Sequence, residues 1–198
     1  TETFEGLLAT SQNHFPSLEF DIGAVNSKLA RFLPTGFYYK MFIHPRSFWK
    51  HVYEPIIRKS AGLGKAPKAR DADKYEHYYH HCEVLVVGGG IAGLQAAESA
   101  AAAGVRVMLV EQTAHWGGRA PVDGVIIDGA PADEWIKSTI AKLSSMTNVV
   151  VRNRTQGSGI YDHGYALAYE RVADHTPRDQ RPRHRLWRVR CKQIVKGI

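Results

Sequence analysis

The stretch Cys82-Glu83-Val84-Leu85-Val86-Val87-Gly88-Gly89-Gly90-Ile91-Ala92-Gly93 decides the fold. An apolar run, Val84 to Val87, leads directly into Gly88-x-Gly90-x-x-Gly93. An alanine-rich helix pattern, Leu94 to Ala103, follows and Gly104 stops it. A second apolar run, Val105 to Val110, ends on Glu111. Strand, glycine turn, helix, strand and acid stand in the order of a dinucleotide-binding βαβ unit.

Each glycine has a physical task. Gly88 permits the tight turn out of the strand, and Gly90 lacks the Cβ that would block a pyrophosphate. Gly93 allows the helix to lie close to the strand, while Gly89, Ile91 and Ala92 complete the turn and open the helix. The helix N-terminus offers unpaired N–H groups and a partial positive charge to phosphates. Glu111 lies about 20 residues beyond the motif, the distance expected of an acid that holds a ribose hydroxyl, and Gln112 follows it. A carboxylate there disfavours a 2′-phosphate. Glycine spacing alone does not separate NAD from FAD.

Downstream, Gly117-Gly118-Arg119 forms a second glycine turn. It either brings the chain close to a ribose or phosphate, with Arg119 pairing the phosphate, or is an ordinary turn. Pro131 precedes a helix with Asp133 and Glu134 in its first turn and Trp135, Ile136, Ile140 and Leu143 on its buried face. Val149-Val150-Val151 reads as the third parallel strand. Thr155 to Tyr161 and Tyr165 to Val172 read as strands around the turn Asp162-His163-Gly164. Leu186 to Cys191 alternates and pairs with that hairpin, and Gln193-Ile194-Val195 reads as a returning strand.

Before the motif the signals are weaker. Phe4 to Ala9 alternates faintly, and Leu18 to Ile22 alternates apolar with acidic residues as a half-buried strand does. The aromatic block Phe37 to Phe42 precedes Phe48, Trp49, Val52, Tyr53, Ile56 and Ile57 at helical spacing. Ser47 is expected to cap that helix, and Pro55 to split or kink it. The aromatic face either docks on a neighbouring domain or stacks RNA; its helical spacing favours docking. Residues 65–79 read as a linker with a helical turn over 71–80. His77, His80, His81 and Cys82 lack the second half of a zinc site, so no metal is expected.

At 198 residues and 44% hydrophobic, the chain has material for a core and no apolar run near the ~20 residues that span a bilayer. Two cysteines without a CxxC fit a reducing cytoplasm. The net charge of +7 invites a nucleic-acid reading, strongest in the cluster from Arg178 to Lys192. That cluster spans a loop and a strand, so a solvated or subunit-facing surface is expected, with neither nucleic acid nor membrane as partner. Tyr161, Asp162 and His163 come nearest to a catalytic grouping, but at a turn, so no catalytic residue is assigned.

Further stretches carry a resemblance: Ser11-Gln12-Asn13, Pro16-Ser17-Leu18, Phe20 to Asn26, Gly36 to Lys40, Tyr53-Glu54-Pro55 with Ile57-Arg58, and Ala61 to Gly64. With the glycine motif and Tyr161-Asp162-His163, they make the chain resemble the alpha subunit of bacterial heterotetrameric sarcosine oxidase over nearly its whole length. The resemblance implies oxidative demethylation of sarcosine to glycine with formation of hydrogen peroxide. It implies FAD in a beta subunit, FMN at the alpha–beta interface, NAD in the alpha subunit's glycine motif and a folate-binding domain later in alpha. Residues 1–45 are then the tail of a β-grasp-like domain, 46–81 a helical segment and linker, and 82–198 an incomplete Rossmann-like α/β domain. The family's Ala-Thr-Gly turn after the last strand is replaced by Lys196-Gly197-Ile198, so a fragment is expected, inactive and poorly soluble alone. Related opine, proline or cyanide-forming dehydrogenases are the second reading, and a non-catalytic nucleotide-binding scaffold the third.

Overall fold

The structure, a computed structural model, describes residues 3, 6–9, 11, 14–32, 35–36, 42, 44–62, 68, 70–174 and 181–197. Two units divide the chain, one built mainly from Ala72–Ile198 and the other from Glu5–Asp71.

The larger unit is organised on a four-stranded parallel sheet. Its strands are β2 (Val84–Val87), β3 (Val107–Val110), β6 (Val149–Arg152) and β10 (Gln193–Lys196), in the order β10-β2-β3-β6. Central β3 is buried at every position, as an apolar strand covered on both faces must be. One face carries the helices α1 (Ile91–Ala102) and α2 (Ala132–Ser145). Helix α1 buries Gly93, Leu94, Ala97 and Ala101, one stripe at i, i+4 and i+8 spacing. Its alanines favour the helix and let it approach the sheet closely. Helix α2 buries Ala132, Ile136, Thr139 and Leu143, with Trp135 and Ile140 packed at the margin. A small hairpin, β4 (Ile126–Ile127) and β5 (Ala130–Pro131), leads into α2.

The other face is covered by a second sheet of β1 (Tyr75–His81), β7 (Thr155–Tyr161), β8 (Tyr165–Arg171) and β9 (His184–Arg190), in the order β1-β9-β8-β7. Cys82, Leu85, Met108 and Val110 meet Ala166, Ala168, Trp187 and Val189 between the sheets. The layers are therefore helices, parallel sheet and second sheet.

Strand β1 corrects the linker expected over 65–79. Tyr75 to His81 pairs in parallel with β9, from Tyr75 against His184 to His81 against Arg190. The larger unit thus begins before Cys82. Polar and aromatic side chains hid this strand, because an edge strand with one wet face needs no apolar run.

At the N-terminal ends of the parallel strands, the Glu83 carboxylate takes the Nε, Nη2 and backbone N–H of Arg106, each at 2.8 or 2.9 Å. The Glu83 carbonyl oxygen accepts the N–H groups of Lys192 and Gln193. One residue therefore joins β2, β3 and β10 at their starts.

The smaller unit has short helices at Ala24–Leu29 and Glu54–Ser60 and no strand longer than a bridge among its described residues. The strand expected over Leu18 to Ile22 does not form. Pro16 and Asp21 make an isolated bridge closing a turn, and Leu18, Phe20 and Ile22 are exposed. Residues 6–9 likewise carry no strand. The break expected at Pro55 appears as a π-helical segment, Trp49–Tyr53, between Arg46–Phe48 and Glu54–Ser60. Pro55 sits in the first turn of the last piece, where its missing N–H costs nothing. Ser47 does not cap; Pro45 holds the N-cap position without a side-chain bond. The block 37–41 lies outside the described residues.

Candidate functional site

The chain leaves β2 through a turn that only glycine fits. Gly88 has φ +109°, and a Cβ on it would stand 2.5 Å from the Gly197 carbonyl oxygen. A Cβ on Gly93 would overlap the Gly88 carbonyl oxygen. Gly90 differs: its missing Cβ faces open space, the nearest atom being the Gly197 oxygen at 3.8 Å. Gly88 and Gly93 are thus demanded by packing, whereas no neighbour in the fold demands a glycine at position 90.

Gly90 is the N-cap of α1 and no side chain caps it. Its carbonyl accepts the Leu94 N–H at 2.9 Å, so helical bonding begins at once. The first-turn N–H groups and the positive end of the helix face the same opening.

Glu111 directly follows β3 and is 7% exposed. One carboxylate oxygen accepts the Gly89 N–H at 2.7 Å and the other the Thr113 N–H at 2.7 Å. Two backbone donors support a nearly buried charge, and each oxygen keeps a lone pair.

The second glycine turn closes on the first. The Gly117 N–H donates to the Gly89 carbonyl at 2.7 Å, and Gly90 and Gly117 form a parallel bridge. Gly117 has φ +96°, and a Cβ there would overlap Ile136 of α2. The Trp116 ring lies over Gly89. The intervening loop is tied down by Arg171, which donates to the Gln112 carbonyl at 2.5 Å, and by Asn153, which donates to the Ala114 carbonyl at 3.0 Å.

Together these parts line a cleft of about 900 Å³ at the C-terminal ends of β2 and β3, the size range of small-molecule and cofactor sites. Of the residues singled out in the sequence, Gly88, Gly90, Ile91, Glu111, Gln112, Gly117, Gly118 and Arg119 line it. Gly89 is roofed by Trp116, Gly93 is spent on packing, and Ala92 is exposed outside the cleft lining. Arg119 meets Asp123 at 3.1 Å with most of its side chain in solvent. Thr113, His115, Thr155, Gln156 and Gly157 also line the cleft and were not anticipated. The last three come from the start of β7, held beside β3 by the Thr155 N–H donating to the Glu111 carbonyl at 2.7 Å. No local signal in the sequence shows that the hairpin returns over the motif.

The other groupings resolve into structure. Alternation along β1 places His77 and His81 on one face, with His80 on the other. Among the described residues no group of three or more His, Cys, Asp and Glu is placed to hold a metal ion. Burial pushes the Cys82 thiol up to about 12, so it is unreactive. The basic cluster is largely paired: Arg183 with Asp73 and Asp174, Arg185 with Glu76 and Glu170, Arg190 with the His163 carbonyl. Tyr161, Asp162 and His163 lie at the end of β7 and in the β7–β8 turn. A His–Asp pair not foreseen, His184 Nε2 with Asp174 at 2.8 Å, lies outside the cleft lining. Burial raises the Asp174 carboxyl, and hydrogen bonds from Arg183 and His184 outweigh this, leaving it below its ordinary value.

Residues 83–182 match the family model described as FAD dependent oxidoreductase. The chain belongs to that family. It is 47% identical over 190 residues to sarcosine oxidase subunit alpha of Rhizobium meliloti, covering 95% of this chain and 19% of that protein. It is 38% identical over 139 residues to sarcosine oxidase subunit alpha of Corynebacterium sp. strain U-96, covering 68% of this chain and 14% of that one. This family member therefore spans about one fifth or less of the curated relatives' length. Among solved structures, L-proline dehydrogenase from P. horikoshii matches 67% of the chain and 25% of its own, at 20% identity and a TM-score of 0.47. No helix among the described residues is long and apolar enough to cross a membrane.

Proposed function

We propose that the chain is the nucleotide-carrying part of a multi-subunit, sarcosine oxidase-type flavoprotein, and that its cleft holds a dinucleotide by the adenosine diphosphate half. The open space at Gly90 carries this reading. Gly88 and Gly93 are explained by neighbouring backbone, whereas Gly90 is explained only by a group lying against it. The N–H groups of Ile91 and Ala92 would face the pyrophosphate, and the Glu111 lone pairs a ribose hydroxyl. Gly117 and Gly118 would keep the opposite wall low. The residues present fit the group.

NAD is the dinucleotide implied by the resemblance to the sarcosine oxidase alpha subunit; FAD is the second reading, favoured by the family model. A bound nicotinamide or flavin would supply hydride or electron transfer. The chain's own residues bind and orient, and none among those described pairs a nucleophile with a base in the cleft. Amine oxidation, FAD and FMN in the remainder of the complex, transfer of the one-carbon unit to folate, a cytoplasmic location and partner subunits follow from the resemblance. Residues 1–45 are proposed as the tail of a β-grasp-like domain on the same ground, with 46–81 as helical segment and linker, apart from β1.

The test is calorimetric titration of the full-length subunit, stripped of nucleotide, with NAD, NADP and FAD, beside peroxide assays of the holoenzyme on sarcosine and proline. Tight NAD binding and peroxide from sarcosine support the reading. Oxidation of proline but not sarcosine, read with an artificial electron acceptor in place of oxygen, moves the chain to the dehydrogenase group, and binding of none of the three removes the proposal.

A further inference from the structure

The outward face of the second sheet is rich in tyrosine and arginine. Along β1, Tyr75, His77, Tyr79 and His81 alternate on that face, and register places Arg188 beside Tyr79 and Arg190 beside His81. Arg190 in turn stands opposite Tyr165 of β8. The inward positions, such as Trp187 and Val189, are buried against the parallel sheet. Of the outward residues, Tyr79 at 70%, Tyr161 at 54% and Arg190 are exposed, while Tyr165, Leu186 and Arg188 are half-buried. No Asp or Glu occupies an outward position of β1, β7, β8 or β9; Glu76 and Glu170 sit inward against Arg185.

The arginines are pre-arranged. The Arg188 guanidinium lies over the Tyr79 ring at 5.2 Å, and one of its nitrogens donates to the Tyr79 hydroxyl. The Arg190 guanidinium lies over the Tyr165 ring at 4.9 Å. A guanidinium stacked on a ring loses little further freedom on binding, and the N–H groups that Tyr79, His77 and the His163 carbonyl leave over on these two arginines fit a carboxylate. Exposed tyrosine with arginine is the chemistry of protein interface hot spots. Single-stranded nucleic acid would need those ring faces for its bases, and the guanidinium groups occupy them.

We infer that this face is a docking surface for an acidic protein surface on a partner subunit, with Arg188 and Arg190 as its anchors. The inference rests on the multi-subunit reading above. Neither arginine lines the nucleotide cleft, so docking and nucleotide binding separate experimentally.

The experiment compares the full-length subunit with its R188E/R190E variant, and with R188Q/R190Q as a milder change, in binding to the purified partner subunits by sedimentation velocity at low and high salt. Nucleotide retention is followed in parallel as a check on folding. Hydroxyl-radical footprinting reads Tyr79 in the isolated subunit and in the complex. The expected result is a loss of affinity of about tenfold or more for the charge reversal, a smaller loss for the glutamine pair, and protection of Tyr79 only in the complex. Unchanged affinity in both variants overturns the inference and leaves the multi-subunit reading standing. Protection of Tyr79 already in the isolated subunit assigns the face to its own chain and overturns it. So does binding of a single-stranded oligonucleotide that the charge reversal abolishes. A wild-type subunit that binds no partner overturns both this inference and the reading beneath it.

Discussion

The Glu111 carboxylate accepts the Gly89 N–H at 2.7 Å, so the residue that follows β3 also holds the glycine turn that leaves β2. The acid expected to meet a ribose is thus part of the turn's scaffold. Replacing Glu111 with Gln leaves one oxygen for Thr113 and sets an NH₂ group against the Gly89 N–H. The expected cost is about 2 kcal/mol of stability, with nucleotide affinity falling in the same variant. Urea unfolding with and without nucleotide measures both; a loss of affinity without any loss of stability would show that the Gly89 bond is not structural.

The same carboxylate is expected to select between NAD and NADP. A 2′-phosphate placed at Glu111 would bring like charges together in a partly desolvated cleft, so NAD is expected to bind at least about tenfold more tightly than NADP. Competition titration on the full-length subunit decides it, and equal affinities would place the adenosine ribose elsewhere.

Two glycines of the motif should fail in different ways. A Cβ at position 90 meets nothing nearer than 3.8 Å, so Gly90→Val, compared with wild type after both are stripped of nucleotide, should melt near it yet fail to rebind the nucleotide. Gly93→Ala drives a methyl into the Gly88 carbonyl, at a cost of about 3 kcal/mol. Thermal melts paired with nucleotide analysis separate the two. Undiminished nucleotide in Gly90→Val would mean that the site has been misplaced.

The ion pair at the strand starts gives a pH signature. Hydrogen bonds from the Arg106 side chain and backbone hold Glu83 down at about 2, from its ordinary 4.5. A depressed folded-state value contributes stability that is complete above pH 4.5 and fades as pH falls toward about 2. Glu83→Gln should flatten the stability curve across that window and leave its shape above it unchanged. An acid titration of both proteins by circular dichroism checks this, and parallel curves would remove Glu83 from the account.

The layers between the sheets depend on Trp187, whose indole N–H donates to Glu170 at 2.6 Å and whose ring carries Arg152 at 5.2 Å and Arg185 at 5.9 Å. Trp187→Ala is expected to cost about 4 kcal/mol. Denaturant midpoints measure it, and a loss under ~1 kcal/mol would show that the second sheet holds without it.

The parallel sheet and its glycine turn were legible because several signals coincide there: apolar runs of strand length, glycines at motif spacing, and a helix pattern between. The hairpin around Asp162-His163-Gly164 was legible for a similar local reason. Tyr75 to His81 was not, because its pairing with His184 to Arg190 joins segments about a hundred residues apart and its exposed side chains give no apolar rhythm. Leu18 to Ile22 misled in the opposite sense: it has the alternation of a strand, but no strand lies beside it among the described residues. Within the site, the glycines and Glu111 were readable from spacing. Thr155, Gln156 and Gly157 were not, since the fold alone brings them to the cleft.

The central claim is that the cleft beyond Gly90 carries a dinucleotide. Its most direct test is mass spectrometry of the nucleotide released on denaturing the full-length subunit. The account predicts one equivalent of NAD, with FAD as the only other result it accommodates; a subunit that releases no adenine dinucleotide would contradict it.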